Sequence, residues 1–138
     1  MNKQNTGRIG EKLAADYLRK KGYEILGMNV RVGHGELDIV ARQGEYLVFT
    51  EVKTRHAVPG EQSVYGTPAA AVHRKKQENL VKSAEEYLKR NESVRELYPR
   101  IDVVEVYLDE SDQPAAIEHY ENAVRKRNVQ RKNSKKQY

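Results

Sequence analysis

The chain has 138 residues and a net charge of +5, a length that fits one domain whose core buries about two-thirds of the unfolded surface. It contains no cysteine, which excludes a disulfide framework and a thiolate zinc site, and it has no apolar run long enough to span a membrane. The first residues, MNKQNTGRIGEK, lack the apolar stretch of a signal peptide, so a cytoplasmic protein with no membrane partner is expected.

Thr6 is placed to cap a helix that runs to about Lys21, with Gly22 as its stop. Ile9, Leu13, Ala14, Tyr17 and Leu18 form one apolar arc at helical spacing. Gly7 and Gly10 fall on that arc. Glycine costs helix stability there, which points to a close approach of neighbouring backbone. Glu11 lies just off the arc, beside Leu18. Residues 23–31 predict a strand, and Gly33-His34-Gly35 a turn. Residues 35–55 predict a β-hairpin with Gln43-Gly44 as its turn. The hairpin centre is almost continuously apolar, as in a sheet covered on both faces.

A loop at 56–66 is long for a plain connection. Thr67-Pro68 then opens a second helix that runs to about Arg90, with Leu80, Val81, Ala84, Tyr87 and Leu88 as its buried stripe. Residues 100–109 predict a strand, Asp109 to Pro114 a turn, and 115–124 a last edge strand. The order is α-β-β-β-α-β-β, an α/β chain with one mixed sheet flanked by helices. Residues 1–124 form the single domain, and 125–138 a basic tail. That tail carries Arg125, Lys126, Arg127, Arg131, Lys132, Lys135 and Lys136 and no acid, so the body without it is slightly acidic. It reads either as a non-specific phosphate grip or as a disordered, solubilising end.

The chemistry concentrates in the hairpin. Glu51 and Lys53 are two apart on one strand and share a face. With a Gln43-Gly44 turn, Phe49 faces Asp38 and Glu51 faces Glu36. Asp38 and Glu51 are then diagonal neighbours on one face, about 7 Å apart at the backbone, and their carboxylates can converge on one ion. A loop longer by one residue would send Asp38 to the opposite face, unless a bulge restored it. On spacing alone, an ordinary Glu51–Lys53 or Asp38–Lys53 salt bridge near a strand end is the plainer account.

Asp38 followed by Glu51-Val52-Lys53 resembles the D…(D/E)-x-K core of restriction-endonuclease-like nucleases. Gly7-x-x-Gly10-Glu11, Gly35-Glu36-Leu37-Asp38, Phe49 to Arg55 and Ile101-Asp102-Val103-Val104, in that order, resemble more closely the bacterial YraN-like family. That family is itself similar to archaeal Holliday-junction resolvases. Leu37 stands where the nuclease core often has proline. The resemblance implies a restriction-endonuclease-like fold. It also implies a metal-dependent endonuclease acting on DNA, such as branched repair or recombination intermediates.

By the same resemblance, Asp38, Glu51 and the Val52 carbonyl would ligate Mg²⁺ or Mn²⁺, hard ions that take oxygen donors. Glu11 would add a further carboxylate to the site or to a second ion. Lys53 would orient or help deprotonate the attacking water. Resolving a branched junction by two symmetric cuts would require a homodimer. The alternative from another class is a non-catalytic nucleic-acid-binding or partner-docking protein on the same scaffold.

Further residues carry two readings each. Glu36 is a supporting acid or an exposed strand-end carboxylate, and His34 a substrate contact or a solvated turn residue. Arg55 is a phosphate contact or a solvated loop arginine. Extending the stripe of the second helix backwards reaches Gln77 and His73, with Lys76 at its edge. Either that half lies over the site with Lys76 near a phosphate, or, the plainer reading, it projects past the sheet into water. Gln62 and Tyr65 in the loop after the hairpin are substrate-contact candidates, as are Arg125, Lys126 and Arg127. Asp102, heading an apolar strand, reads as a structural hydrogen-bonding or salt-bridge residue.

Overall fold

The computed structural model describes residues 3–57 and 74–126. Its elements are α1 (Lys3–Lys20), β1 (Glu24–Val32), β2 (Gly35–Gln43), β3 (Tyr46–Arg55), α2 (Arg74–Arg90), a short 3-10 turn (Glu92–Val94), β4 (Tyr98–Leu108) and β5 (Pro114–Val124). This is the α-β-β-β-α-β-β order expected from the sequence. The strands form one sheet in the order β1-β2-β3-β4-β5. β3 and β4 run parallel, and the other neighbours are antiparallel. A parallel pair needs a long crossover, and α2 lies within it. The expected helix start at Thr67-Pro68, most of the 56–66 loop, and tail residues 127–138 lie outside the described residues.

The mixed sheet has two cores. On one face, Ala14, Ala15 and Leu18 of α1 pack on Ile39, Ala41, Val48, Val104, Val106 and Leu108. On the other, Leu80, Val81 and Ala84 of α2 pack on Val40, Leu47, Phe49, Ile101 and Val103. β3 and β4 are therefore covered on both sides, which is why their sequences are nearly continuous in apolar residues. The Phe49 and Tyr87 rings meet edge-on at 5.6 Å, locking α2 to β3.

α1 starts at Lys3, so Thr6 lies inside it and is not its cap. Neither proline nor glycine interrupts residues 3–6, so nothing stops the helix there. Its other end is as expected. Gly22 takes φ +93°, Tyr23 N–H donates to the Leu18 carbonyl at 3.0 Å, and Gly22 N–H donates to that of Arg19 at 2.9 Å. This is the double bond pattern of a Schellman stop.

The hairpin turn is Gly44-Glu45, between the paired residues Gln43 and Tyr46, and not Gln43-Gly44. Gly44 takes φ +59°, as a two-residue hairpin turn demands at that position. The register thus moves by two. Phe49 pairs with Val40 and not Asp38, and Glu36 pairs with Arg31 of β1 and does not face Glu51. An even shift preserves the faces and brings Asp38 to the level of Glu51.

Besides a bulge in β1 between Ile25 and Gly27, the strict alternation of a strand breaks at a level shared by β1 and β2. Met28 and Ile39 face the α1 core, yet Val30 and Leu37, two residues away on their strands, face the α2 core. Between them Asn29 adopts φ +52°. The residue opposite in the register is Asp38, and neither appears in the paired ladder. The two strands turn over together at this point, which frees the Asp38 side chain from either core.

A second buried polar cluster ties β4 to β5. Asp102 is fully buried and receives Arg100 Nε and Nη2 at 2.9 and 3.0 Å, His119 Nε2 at 2.7 Å and the Asn122 N–H at 2.9 Å. Although burial opposes its charge, the bonds from His119 and Arg100 hold its carboxyl below the usual range. Arg100 also reaches the Tyr23 hydroxyl at 2.8 Å. Asp102 is the structural residue its position suggested.

The two glycines of α1 differ. A Cβ at Gly10 would fall 1.8 Å from Thr54 Oγ1, whereas one at Gly7 would meet nothing within 4 Å. The close approach is made at Gly10 alone, and to a side chain of β3. Gly10→Ala should therefore destabilise the protein by about 1–3 kcal/mol through overpacking. Gly7→Ala should stabilise it by about 0.5–1 kcal/mol by restoring helix propensity. Urea denaturation of both variants checks the opposite signs.

Candidate active site

The β2–β3 ladder ends at Ile39–Thr50, whereas β3 stays paired with β4 as far as Arg55–Tyr107. Beyond Thr50 one side of β3 has therefore lost its neighbour. Asp38 fills that opening, its Oδ2 accepting the Val52 N–H at 2.9 Å. In an extended strand the N–H and C=O of one residue point to the same side, so the Val52 carbonyl is directed into the same opening.

Glu51 stands beside Asp38, and only 4% of it is exposed. Burial, followed by the charge of Asp38, pushes its carboxyl up to about 7, against the pull of Lys76 and Lys53. Lys76 Nζ lies 3.6 Å from Glu51 Oε2. Glu51 Oε1 is buried without a hydrogen-bond partner. The first half of α2 thus lies over the carboxylate pair and does not project clear of the sheet.

Glu11 approaches from the α1 face. Burial raises its carboxyl, the charges of Asp38 and Glu36 add to that, and a hydrogen bond from the Asn29 side chain opposes it. Glu11 is within electrostatic reach of both Asp38 and Asn29. Asn29 is the residue that sequence reasoning missed. Its only signal was its type, since asparagine tolerates positive φ inside a strand better than its neighbours do.

Other candidates are placed elsewhere. Arg55 Nη2 pairs with Glu105 Oε2 at 3.4 Å, and Glu105 also accepts the Tyr107 hydroxyl at 2.7 Å. Gln77, Arg125 and Lys126 line a cleft of about 200 Å³ beside α2, where Lys126 pairs with Glu85 at 2.8 Å. His34 is exposed and lines a separate cleft of about 310 Å³ with Lys82 and Ser83. Gln62, Tyr65, His73 and Arg127 lie outside the described residues.

The donor set fits a hard divalent ion. Two adjacent carboxylates repel each other, one carboxylate oxygen is buried without a partner, and a backbone carbonyl opens beside them. Among the described residues, no three acidic or histidine side chains close into a ready-made cage. An open set of this kind suits Mg²⁺ or Mn²⁺, which keep waters and share ligands with substrate phosphates.

Residues 10–106 match the family described as "Uncharacterised protein family UPF0102". The chain belongs to that family. A UPF0102 protein of Carboxydothermus hydrogenoformans is 39% identical over 124 residues, covering 90% of this chain and 98% of its own. One from Dehalococcoides mccartyi is 44% identical over 112 residues, covering 80% and 87%. Among solved structures, that of Pyrococcus furiosus SfsA in complex with Ca²⁺ is similar at 15% identity and a TM-score of 0.41, over 87% of this chain and 64% of that one. The family match begins at Gly10, the packing residue of α1. It takes in Glu11, Asp38, Glu51, Val52, Lys53 and Lys76. Among the described residues no helix is long and apolar enough to cross a membrane.

The raised Glu51 carboxyl makes the stability of the metal-free protein depend on pH. The folded state holds the Glu51 proton more tightly than the unfolded state, whose value stays near 4.5. The resulting stabilisation is full below that value and is lost as pH rises through about 7. Glu51→Gln, neutral and similar in shape, should be the more stable protein at pH 8, by up to about 3 kcal/mol. That advantage should vanish near pH 4.5. Urea unfolding in EDTA at both pH values measures the difference.

Proposed function

We propose that this protein is a metal-dependent nuclease that hydrolyses phosphodiester bonds in DNA, with branched repair or recombination intermediates as its substrate class. The observation that carries the reading is the Asp38–Glu51 pair at the point where β2 leaves β3, with Lys53 and Lys76 as its nearby cations. A like-charge pair with one member buried, as Glu51 is here, is costly unless a cation is meant to join it.

Asp38, Glu51 and the Val52 carbonyl would hold Mg²⁺ or Mn²⁺. An ion held there supplies Lewis acidity toward a phosphoryl oxygen and acidifies the attacking water. The chain's own groups do the rest. Asp38 is fixed in direction by its bond from the Val52 N–H. Lys53, two residues from Glu51 on the same strand face, orients the attacking water and offsets charge gathering on phosphorus. Glu11, within electrostatic reach of Asp38, offers a further carboxylate to the site. Two symmetric cuts across a four-way junction would need two such sites, hence two copies of the chain.

The test is cleavage of labelled linear, flapped and four-way DNA in Mg²⁺, Mn²⁺ or EDTA. Wild type should cut only with metal. Asp38→Ala and Glu51→Ala should each lose at least about 100-fold in rate, more than the loss of an outer-sphere partner of a metal, with unchanged circular dichroism. Undiminished cutting by both variants would overturn the assignment. Binding of DNA without cutting by wild type would favour the non-catalytic scaffold instead.

A further inference from the structure

Lys76 is a cation that the resemblance did not place at the carboxylates. Its side chain reaches across from α2, 45% exposed, to a Glu51 side chain that is 5% exposed, at 3.6 Å. The contact is single. It engages Oε2 and leaves Oε1 buried and without a hydrogen-bond partner. Lysine is a hydrated point charge on a flexible stem and does not clamp a carboxylate in two places as arginine does. A half-exposed pair of this kind is weak and easily exchanged.

Among its described residues the helix offers Lys76 no other acid to fall back on. Three and four positions on stand Asn79 and Leu80, neither of them acidic. Its neighbour Arg74, by contrast, has Glu78 four residues on, at 4.0 Å. An ammonium that leaves Glu51 is therefore free to meet a different anion. Lys53 differs, because it sits on the same strand as Glu51 and opposite another acid, Glu105, in the β3–β4 ladder.

We propose that Lys76 is an exchangeable counter-ion. It neutralises Glu51 while no divalent ion is bound, yields that carboxylate when one binds, and then turns its ammonium to a phosphate of the nucleic acid. This rests on the metal-dependent nuclease reading and adds an order of events to it. The same residue guards the pair in the resting protein and contacts substrate in the loaded one.

Two measurements on the full chain at pH 8 test it, with Lys76→Gln and the charge-preserving Lys76→Arg. In calorimetric titration with Mn²⁺ alone, Lys76→Gln should bind about two- to fivefold more tightly than wild type, since a competing ion pair has been removed. Lys76→Arg should stay near wild type. In anisotropy titrations of a labelled DNA duplex, the slope of log affinity against log salt should fall by about 1 for Lys76→Gln in Ca²⁺ and not change in EDTA. Equal or weaker Mn²⁺ binding by Lys76→Gln would overturn the exchange. An equal fall of the slope in EDTA would also overturn it, by making Lys76 a standing phosphate contact. No Mn²⁺ uptake by wild type or variants would instead overturn the metal site itself, and the proposal with it.

Discussion

The placing of charge at the open end of this sheet depends on the hydrogen bond from the Val52 N–H to the Asp38 carboxylate. At the level of Asp38 the β2–β3 ladder has ended while β3 continues against β4. A backbone donor left bare at such a split would cost about 1–3 kcal/mol. Asp38 removes that cost with a side chain in place of a strand, and in doing so carries a negative charge to the split. One interaction thus satisfies the backbone and places a carboxylate beside Glu51. The reversal of facing at Asn29 and Asp38 is what allows it, because a regular strand would have turned that side chain into a core.

The two buried aspartate and glutamate centres of the molecule show opposite solutions to the same electrostatic problem. Asp102 is surrounded by donors: a two-pronged arginine, a histidine and a backbone N–H. Its carboxyl is held below the usual range, and it serves as mortar between β4 and β5. Glu51 has a like charge for its neighbour, a single lysine at 3.6 Å and one oxygen without a bond, and its carboxyl rises to about 7. Thr50 Oγ1 and Arg55 Nε are likewise buried without a hydrogen-bond partner, so among the described residues the unsatisfied polar side-chain atoms gather along β3 around Glu51.

The two helices reach this split from opposite faces. Gly10 lets α1 close on Thr54, and the next residue is Glu11. Leu80, Val81 and Ala84 seat α2 on the other core and leave Lys76 one turn earlier over Glu51. Apolar packing on both faces therefore sets where an acid and a base arrive at the open end of the sheet. Arg55, two residues past Lys53, is instead drawn to Glu105 of β4, because the parallel β3–β4 ladder extends that far.

The element order, the sheet covered on both faces, the Gly22 stop and the shared face of Glu51 and Lys53 were all legible in the sequence. They follow from local rules: apolar period, turn chemistry and the two-residue repeat of a strand. The partnership of Asp38 with Glu51 was legible only as nearness across the hairpin, because the reversal at Asp38 takes its side chain off the face that alternation gives it. Its level depended on whether Gln43 or Glu45 completed the turn, a choice decided by the pairing of Gln43 with Tyr46. Three things needed the tertiary structure: the turning-over of β1 and β2 at Asn29, the approach of Glu11 to Asn29 and Asp38, and the reach of Lys76 to Glu51. Each joins residues far apart in the chain through geometry that no local period encodes. Side-chain sequence determines which strands and helices form, but the charge environment of a carboxylate is set by what the packed elements bring within a few ångströms of it.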